Sequence, residues 1–396
     1  MKGFQVGGMT SEQFKGLEKT FRENFTRGWE KAGASCSVYY DGQLVADLHA
    51  GYADVAHKKP WREDTLSTIF SVTKSLTAIC FAILVDRGEC QYSDLVTKYW
   101  PEYGKNGKEA TTIDMVLSHE AGLPYFSFEM TIEILTDNKK LAELIENEVP
   151  VFKPGSECSY HPFTFGWIAD QVFMRIDPKG RSVGVFFKEE IAEKHDLDLY
   201  IGNCSIHEHR VARLIPVTKC LTVRETLADL SILIIAKAYY DPRGYFVRAM
   251  ANMKPFGKDF TMFNNNELRK NGQPAVNGIG NARSLAKLYA ALLENKILCT
   301  ETLSRIKQPT REALFDKSTG ERNFKRFGFA YDRSPHNTWQ FGHSGVGGQM
   351  VRCDWDKRLV IAYVTNGMKT AGSGSHVITF NRLMNKTYGI INSLNK

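Results

Sequence analysis

Apolar and polar positions alternate at both ends of the chain, and helical spacing dominates between them. Near the start, Thr10 and Gln13 have the spacing of a capping box. Two alternating segments follow at 35–40 and 44–48, joined by Asp41-Gly42, which is a strong β-hairpin signal. The pattern predicts a hairpin preceded by an amphipathic helix that runs to about residue 31, with these residues on its apolar face: Phe14, Leu17, Phe21, Phe25 and Trp29.

Strand-like alternation returns late in the chain. We predict strands at 328–332, 338–342, 349–354 and 359–365, with a tight turn between the last two. A helix should follow them, because apolar residues then recur at helical spacing. These residues are Phe380, Leu383, Met384, Tyr388 and Ile391.

Helices dominate the middle of the chain. They are predicted near 141–149 and 165–176 and from Arg283 onward, and residues 117–123 resemble a helix end capped by Gly122. The simplest assembly is an α+β fold. One antiparallel sheet, made from both chain ends, is flanked by the N- and C-terminal helices and carries an inserted all-helical lobe. Residues 1–396 would then form one domain, with an α/β lobe at 1–70 and 321–396 and a mainly helical lobe at 71–320.

The helix after Ser71 carries the candidate chemistry. Its residues from Leu76 to Val85 are apolar almost all the way round, as in a helix buried on every side. Lys74 stands three residues after Ser71, so the amine and the hydroxyl share a face. A buried lysine at a helix N-terminus has a lowered pKa and can activate a serine. A lone Ser-x-x-Lys tetrad is nevertheless more often a serine N-cap beside a solvated lysine.

Composition excludes several classes of function. The 396 residues carry a formal charge of +7 without a Lys/Arg block, so we expect no nucleic-acid partner. No apolar run reaches the roughly 18 residues that a membrane-spanning helix needs. The eight cysteines form no C-x-x-C pair and suit a reducing compartment. We expect a cytoplasmic protein and leave a mitochondrial location open.

Two other hydrolase chemistries fail on their motifs. The pentad at 342–346 lacks the final glycine of the Gly-x-Ser-x-Gly nucleophile elbow of α/β-hydrolases. A zinc motif would place histidine four residues after His119, where Leu123 stands instead. His207 and His209 alternate in a polar loop, so no metal site is expected there either.

Three motifs follow one another along the chain, each on a predicted element: Ser71-Val72-Thr73-Lys74, Tyr160-His161-Pro162 and His343-Ser344-Gly345. In this order the three motifs resemble those of the serine β-lactamase and penicillin-binding-protein superfamily. Four longer segments support the same resemblance: 117–123, 160–167, 277–284 and 343–348. The closest branch is that of the class C-like β-lactamase-related proteins, which include esterases and peptidases.

The resemblance implies a fold that agrees with the pattern, and it implies roles for the motif residues. Ser71 would be the acylated nucleophile and Lys74 its proton acceptor. Tyr160 would be a second base that passes the proton to the leaving group and activates water. The backbone N–H groups of Ser71 and Val346 would form an oxyanion hole, and Gly345 would let substrate lie against the strand edge.

Two departures from the family pattern bear on the substrate. His343 stands where penicillin-recognising members carry lysine, and a histidine is neutral for much of the time at pH 7, which puts carboxylate anchoring in doubt. His161 and Pro162 stand where antibiotic-hydrolysing class C enzymes have a small residue followed by asparagine.

A phenol also needs flanking cations before it can act as a base, and Lys74 is expected to be one for Tyr160.

We therefore predict a serine hydrolase that forms an acyl-enzyme on a small ester or peptide-like amide, in preference to antibiotic hydrolysis. The predicted catalytic residues are Ser71, Lys74, Tyr160 and His343. The predicted oxyanion and substrate-binding residues are Ser71, Val346, Gly345, Ser344 and His161. No metal or organic cofactor is expected, and a homo-oligomer stays open. The alternative is a catalytically silent family member that acts as a scaffold or self-assembling protein.

Overall fold

A computed structural model describes residues 4–202, 204–370 and 376–394. The strands of these residues are β1 (Gly7–Thr10), β2 (Gly33–Tyr40), β3 (Gln43–Asp54), β4 (Lys59–Pro60), β5 (Ser67–Thr68), β6 (Leu199–Tyr200), β7 (Ile279–Gly280), β8 (Leu314–Asp316), β9 (Glu321–Arg326), β10 (Phe329–Arg333), β11 (Trp339–Gly345), β12 (Gln349–Asp354) and β13 (Leu359–Thr365).

The helices of the described residues are α1 (Gly16–Thr26), α2 (Val72–Asp86), α3 (Ile113–Leu117), α4 (Ile132–Thr136), α5 (Asn138–Asn147), α6 (Thr164–Ile176), α7 (Val183–Phe187), α8 (Lys219–Ala228), α9 (Ile232–Tyr240), α10 (Tyr245–Asn252), α11 (Asn266–Lys270), α12 (Ala282–Leu293), α13 (Thr300–Ile306) and α14 (Ile378–Leu394).

The central sheet joins the two ends of the chain. Its strand order is β1-β3-β2-β13-β12-β11-β10-β9-β8, with β4 beside β3, and every pairing is antiparallel. Strand β2 pairs directly with β13, where Tyr40 lies opposite Leu359. The hairpin between β2 and β3 turns at Asp41 and Gly42, whose φ angles of 48° and 76° are those of the left-handed pair expected there. Early and late strands therefore share one sheet, as the sequence predicts.

Helices cover both faces of this sheet. On one face, α1 packs against α14, and their apolar stripes share a core with inward-facing residues of β2, β3 and β13. On the other face, α12 contacts β2 and β13, while α2 contacts β10, β11 and β12. The predicted α+β fold with flanking terminal helices is confirmed. Helix α2 is buried from Val72 to Val85, so its apolar run packs against neighbours on all sides.

The N-terminal helix is shorter than the sequence pattern predicts. Thr10 belongs to β1 rather than to a capping box, and a 3₁₀ turn at Glu12–Phe14 precedes α1. Helix α1 ends at Thr26, before Trp29. The prediction of the cap was wrong because Thr10 pairs with Ala46 of β3, so its backbone is extended.

The predicted glycine cap at 117–123 is also misplaced. Helix α3 ends at Leu117, and the first residue beyond it with a left-handed backbone is His119, with φ of 66°. Gly122 has a positive φ of 78° as well, but it lies farther along the loop. A histidine that adopts this conformation is uncommon, and it lies beside the candidate active site.

The sheet extends farther than predicted at one edge. Strands β8 and β9 form a hairpin that adds two strands outside β10. The predicted helical lobe thus contains β8, and its helix α12 supports the sheet. The lobe boundaries at residues 70 and 320 stay a prediction. All eight cysteines are free thiols, and six of them are buried.

Candidate active site

Ser71 lies where the chain enters α2. It is the N-cap residue of the helix, and Phe70 before it has a positive φ of 45°. A bulky residue in this region is strained, so the surroundings must hold it there. The Phe70 ring packs edge-on against Phe260 and Phe263, with ring centroids 5.9 and 5.7 Å apart. This aromatic cluster fixes the turn that presents Ser71.

Lys74 is fully buried one helical turn further on. Its Nζ lies 3.3 Å from Ser71 Oγ and donates to the backbone oxygens of Pro162 and Ala275 at 2.9 and 3.1 Å. Burial, and secondarily the charge of Lys325, holds the pKa of Lys74 well below its ordinary value. A neutral amine has two N–H donors and one lone pair. The two carbonyls use both donors, which leaves the lone pair for the Ser71 hydroxyl.

Tyr160 stands on the other side of Ser71. Lys74 Nζ lies 4.8 Å from the centroid of its ring, and the His119 ring centroid lies 4.5 Å away. Burial raises the pKa of Tyr160, and an interaction with the Ser71 side chain opposes that rise. The phenol is therefore neutral at rest. Lys74 flanks the Tyr160 ring as the sequence predicts, although the lowered pKa of its amine opposes a permanent positive charge.

A second lysine also flanks the tyrosine. Lys325 of β9 places its Nζ 5.0 Å from the centroid of the Tyr160 ring and forms an ion pair with Asp316. The other oxygen of Asp316 accepts the backbone N–H of Tyr160 at 3.0 Å, and Ser318 Oγ donates to the carbonyl oxygen of Tyr160 at 3.0 Å. The turn between β8 and β9 thus holds both sides of the tyrosine backbone.

Strand β11 brings the third motif to the same place. His343 and Ser344 line the cavity above Ser71, together with Val346. Burial, and secondarily the charge of Lys74, lowers the pKa of His343 well below its ordinary value. Its Nδ1 lies 2.6 Å from the carbonyl oxygen of Ser344, an acceptor, so Nδ1 carries the proton. The ring is therefore a neutral hydrogen-bond acceptor at Nε2.

Two backbone donors remain unused beside Ser71. Within the described ranges, the N–H groups of Ser71 and Val346 donate to no protein acceptor. Unpaired N–H groups at a buried site suit an oxyanion hole. A Cβ at Gly345 would lie 2.5 Å from the Ile69 oxygen, so the strand and the helix entry approach closely at this glycine. Gly345 is not among the residues that line the cavity, and its contact with substrate stays a prediction.

His161 does not contact the cavity, so the expectation that it binds substrate is corrected here. Its side chain is buried, Nε2 accepts the backbone N–H of Leu123 at 3.0 Å, and Nδ1 donates to the carbonyl oxygen of Ser159 at 2.5 Å. Burial lowers the pKa of His161 to about 4. Both ring nitrogens are used to join two loops, which leaves none for a ligand.

The site opens into a cavity of about 260 Å³. The lining includes the aromatic side chains of Phe70, Phe163, Tyr239, Phe246 and Phe260. Charged side chains of β9, β10 and β12 line it as well, including Lys325 and Arg352. His376, which precedes α14, is part of the lining and pairs with Asp229 and Glu321. The cavity therefore offers both apolar and polar contacts to a substrate.

A larger cleft of about 920 Å³ lies elsewhere and contains none of the motif residues. Its wall includes Asp170, whose Oδ1 accepts the Val183 N–H at 2.7 Å. Burial raises the pKa of Asp170 to about 7. Among residues 4–202, 204–370 and 376–394, no group of three His, Cys, Asp or Glu is arranged to hold a metal ion. No helix in the same ranges is long and apolar enough to cross a bilayer.

Sequence reasoning missed Asp316, Lys325 and His119. None of them belongs to the three motifs. Asp316 lies at the end of the predicted helical lobe, and Lys325 lies just after it, before the first of the predicted late strands. One signal was available, since Asp316 begins a turn that ends at Gly320 and separates two short alternating segments. That signal would have predicted the hairpin, although not its contact with Tyr160.

The sheet built from both chain ends, with a buried Ser-x-x-Lys helix and a tyrosine beside it, is the architecture of the β-lactamase and transpeptidase-like proteins. The Beta-lactamase family model matches residues 21–385. The chain therefore belongs to the Beta-lactamase family, as its motifs indicate.

Relatives and solved structures agree with this assignment. The chain is 30% identical over 377 residues to the esterase/beta-lactamase LipL of Mycobacterium tuberculosis, covering 92% of this chain and 83% of that protein. A family VIII carboxylesterase superposes with a TM-score of 0.83 at 29% identity, covering 98% of this chain and all of that one. A penicillin-binding protein homologue from Caulobacter crescentus superposes with a TM-score of 0.82 at 28% identity and the same coverage.

Proposed function

We propose that this chain is a serine hydrolase that cleaves small carboxylic esters through an acyl-enzyme on Ser71. The observation that carries the proposal is the contact of 3.3 Å between Ser71 Oγ and the buried Nζ of Lys74. The two carbonyls that hold this amine leave its lone pair for the serine proton. A serine with an adjacent neutral amine is an activated nucleophile.

Acylation begins when Lys74 takes the proton of Ser71 and the serine oxygen attacks the ester carbonyl. The negative charge on the former carbonyl oxygen is stabilised by the N–H groups of Ser71 and Val346. The intermediate collapses when Tyr160 gives its proton to the leaving alkoxide and regains one from Lys74. Water then attacks the acyl group and gives a proton to Tyr160, which is hydrogen-bonded into the same site as Lys74. That proton passes to Ser71 Oγ as the bond between Ser71 and the acyl carbon breaks, and the acid is released.

Esters are favoured over penicillin-like amides by the chemistry of the cavity. His343 is neutral and offers an acceptor where a carboxylate ligand would need a cation. The aromatic side chains of the lining provide apolar contact for an acyl or alkyl group. Two of the similar proteins are named as esterases, which supports the same class of substrate.

A catalytically silent scaffold, the alternative that the sequence left open, is not favoured. Such a protein has no need to keep a buried amine beside a serine, because a buried amine is costly. The cavity of about 260 Å³ is also open to a ligand above Ser71. Formation of homo-oligomers remains a prediction that is independent of the catalytic proposal.

The test uses Ser71→Ala, with Ser75→Ala as a matched control. Ser75 is a buried serine of the same helix, and its hydroxyl donates to the carbonyl oxygen of Val72. We expect Ser71→Ala to lose at least about 10⁴-fold in kcat on p-nitrophenyl acetate and all labelling by a fluorophosphonate, while Ser75→Ala keeps both. Equal turnover in Ser71→Ala and the parent protein would rule out this nucleophile. Faster turnover of a chromogenic cephalosporin than of the ester would rule out the substrate class.

A further inference from the structure

Lys325 is a buried cation that the three motifs do not include. It lies on β9, two strands away from the β11 motif, and its side chain is 11% exposed. Its Nζ lies 5.0 Å from the centroid of the Tyr160 ring and lines the same cavity as Ser71. The only other ammonium facing this ring within the described residues belongs to Lys74, at 4.8 Å.

The two lysines differ in charge because they differ in partners. Lys74 contacts carbonyls and a hydroxyl, and its burial is not offset by any carboxylate. Lys325 is buried as well, but its ion pair with Asp316 outweighs the burial, so the pKa of Lys325 is raised. Near Tyr160, Lys325 therefore keeps its positive charge while Lys74 is free to act as a base.

We propose that Lys325 is the electrostatic partner of Tyr160, supplying from β9 the positive charge that His343 lacks. The proposal rests on the proposed ester hydrolysis and assigns Lys325 a positioning role, because it touches the tyrosine ring rather than the substrate. Asp316 links the two residues, since one of its oxygens pairs with Lys325 and the other accepts the Tyr160 N–H at 3.0 Å.

The positive charge of Lys325 acts on the step in which the leaving group departs. When the ester C–O bond breaks, the Tyr160 phenol gives its proton to the leaving alkoxide and becomes a phenolate, which then takes the proton that Lys74 received from Ser71. Electrons and protons balance without any other reactant. During the short life of the phenolate, the ammonium of Lys325 is a fixed opposite charge. If the separation is taken as the 5.0 Å from Nζ to the ring centroid, two unit charges in a medium of effective dielectric constant about 20 change an equilibrium constant by on the order of 100-fold.

The same charge acts on the resting enzyme. The field of Lys325 also lowers the pKa of Lys74, after the larger effect of burial. Removing the charge should therefore make Lys74 harder to deprotonate and move the ascending limb of the kcat/KM profile to higher pH. The charged and titratable groups that face Tyr160 from all surrounding elements are Ser71, Lys74, His119, Tyr239, Asp316, Lys325 and His343.

The experiment compares Lys325→Met with Lys325→Arg in the full-length protein. Methionine keeps the length and the apolar contacts of lysine but not its charge, whereas arginine keeps the charge. The control is Lys108→Met, which removes another buried ammonium. Lys108 does not line the cavity, and its Nζ donates to the carbonyl oxygens of Lys105, Glu146 and Glu148. All variants are assayed on p-nitrophenyl acetate from pH 5 to pH 10, and thermal unfolding is followed in parallel.

We expect Lys325→Met to lose about 100-fold in kcat, with KM within about threefold of the parent value. The ascending limb of its kcat/KM profile should move to higher pH. Lys325→Arg should recover most of kcat and the original limb, and Lys108→Met should lose stability without losing kcat. If Lys325→Met does not fold, Lys325→Gln, which can still donate to Asp316, takes its place with the same expectation.

The role of Lys325 would be overturned if Lys325→Met kept kcat within about twofold of the parent value and showed no shift in the ascending limb of its kcat/KM profile. The same conclusion follows if the Arg variant is as slow as the Met variant. Neither result bears on the proposed function, which is tested separately by Ser71→Ala and by the comparison of ester with cephalosporin.

Discussion

Gly345 offers a direct test of how the sheet and the nucleophile helix form the oxyanion hole. A Cβ at this position would lie 2.5 Å from the Ile69 oxygen, 3.0 Å from Gln349 Cβ and 3.2 Å from Phe70 Cβ. Contacts under 3.0 Å are essentially never seen for real Cβ atoms, so Gly345→Ala must separate the strand from the helix entry by roughly half an ångström. The first of these atoms belongs to the backbone and cannot rotate away.

The displacement acts on both oxyanion donors. Val346 follows Gly345 on the strand side, and Ser71 lies two residues after Ile69 on the helix side. Complete loss of one such donor costs about 3 kcal/mol of barrier, and a misplacement of 1 Å costs about 100-fold in rate. For half that movement we expect kcat to fall roughly 10- to 100-fold. Overpacking should also lower the free energy of unfolding by about 1–3 kcal/mol.

The assay is steady-state turnover of p-nitrophenyl acetate, with kcat and KM measured separately. We expect the loss mainly in kcat, because the donors bind the oxyanion more strongly than the ground-state carbonyl. Gly389→Ala is the matched control, since a Cβ there meets nothing within 4 Å and the residue lies inside α14. It should keep kcat and gain up to about 1 kcal/mol of stability. A Gly345→Ala protein with the parent kcat and stability would refute the close approach of strand and helix.

Two further predictions concern the dependence of stability on pH. Because burial raises the pKa of Asp170 to about 7, the folded protein keeps this carboxyl protonated while the unfolded chain ionises it near 4. The protonated carboxyl therefore stabilises the fold at low pH, and this stabilisation is lost as pH rises to about 7. Between pH 5 and pH 8, the free energy of unfolding in urea should fall less for Asp170→Asn than for the parent protein. An equal fall in both would contradict this. The pKa of His376 is raised to about 9, first by its hydrogen bond with Glu321 and also by Asp229. The charged histidine therefore stabilises the fold fully below about pH 6.5, and this stabilisation is lost as pH rises through 9. His376→Gln should therefore be less stable than the parent at pH 6 but not at pH 10, and a constant difference would show that the ion pairs are not the cause.

The sequence predicts those parts of the site that depend on short-range spacing. Ser71 and Lys74 share one helix turn, so their proximity follows from periodicity. The apolar run behind them favours burial and hence a lowered pKa of the amine, but only the two later motifs made this interpretation preferable to a solvated lysine. The strands at 349–354 and 359–365 are predicted equally well, because each alternates or is continuously apolar between turn signals.

Other parts of the site depend on contacts between distant segments. Asp316 and Lys325 become the supports of Tyr160 only when the β8–β9 hairpin lies beside residues 158–160, which no local pattern encodes. His161 was misassigned because its ring turns back to join the Ser159 and Leu123 loops, whereas its neighbour Tyr160 points into the cavity. Periodicity identifies which residues are close in a helix or strand, while loop residues take their direction from the packing around them.

The pairing of β2 with β13 determines when this protein can begin to work during its synthesis. Tyr40 is synthesised more than three hundred residues before its partner Leu359. Until then β2 has no partner on its β13 side, and the strands that pack against the Ser71 helix, β10 to β12, are themselves made only after residue 328. We therefore expect a nascent or prematurely terminated chain that lacks β13 to be inactive and to be bound by chaperones.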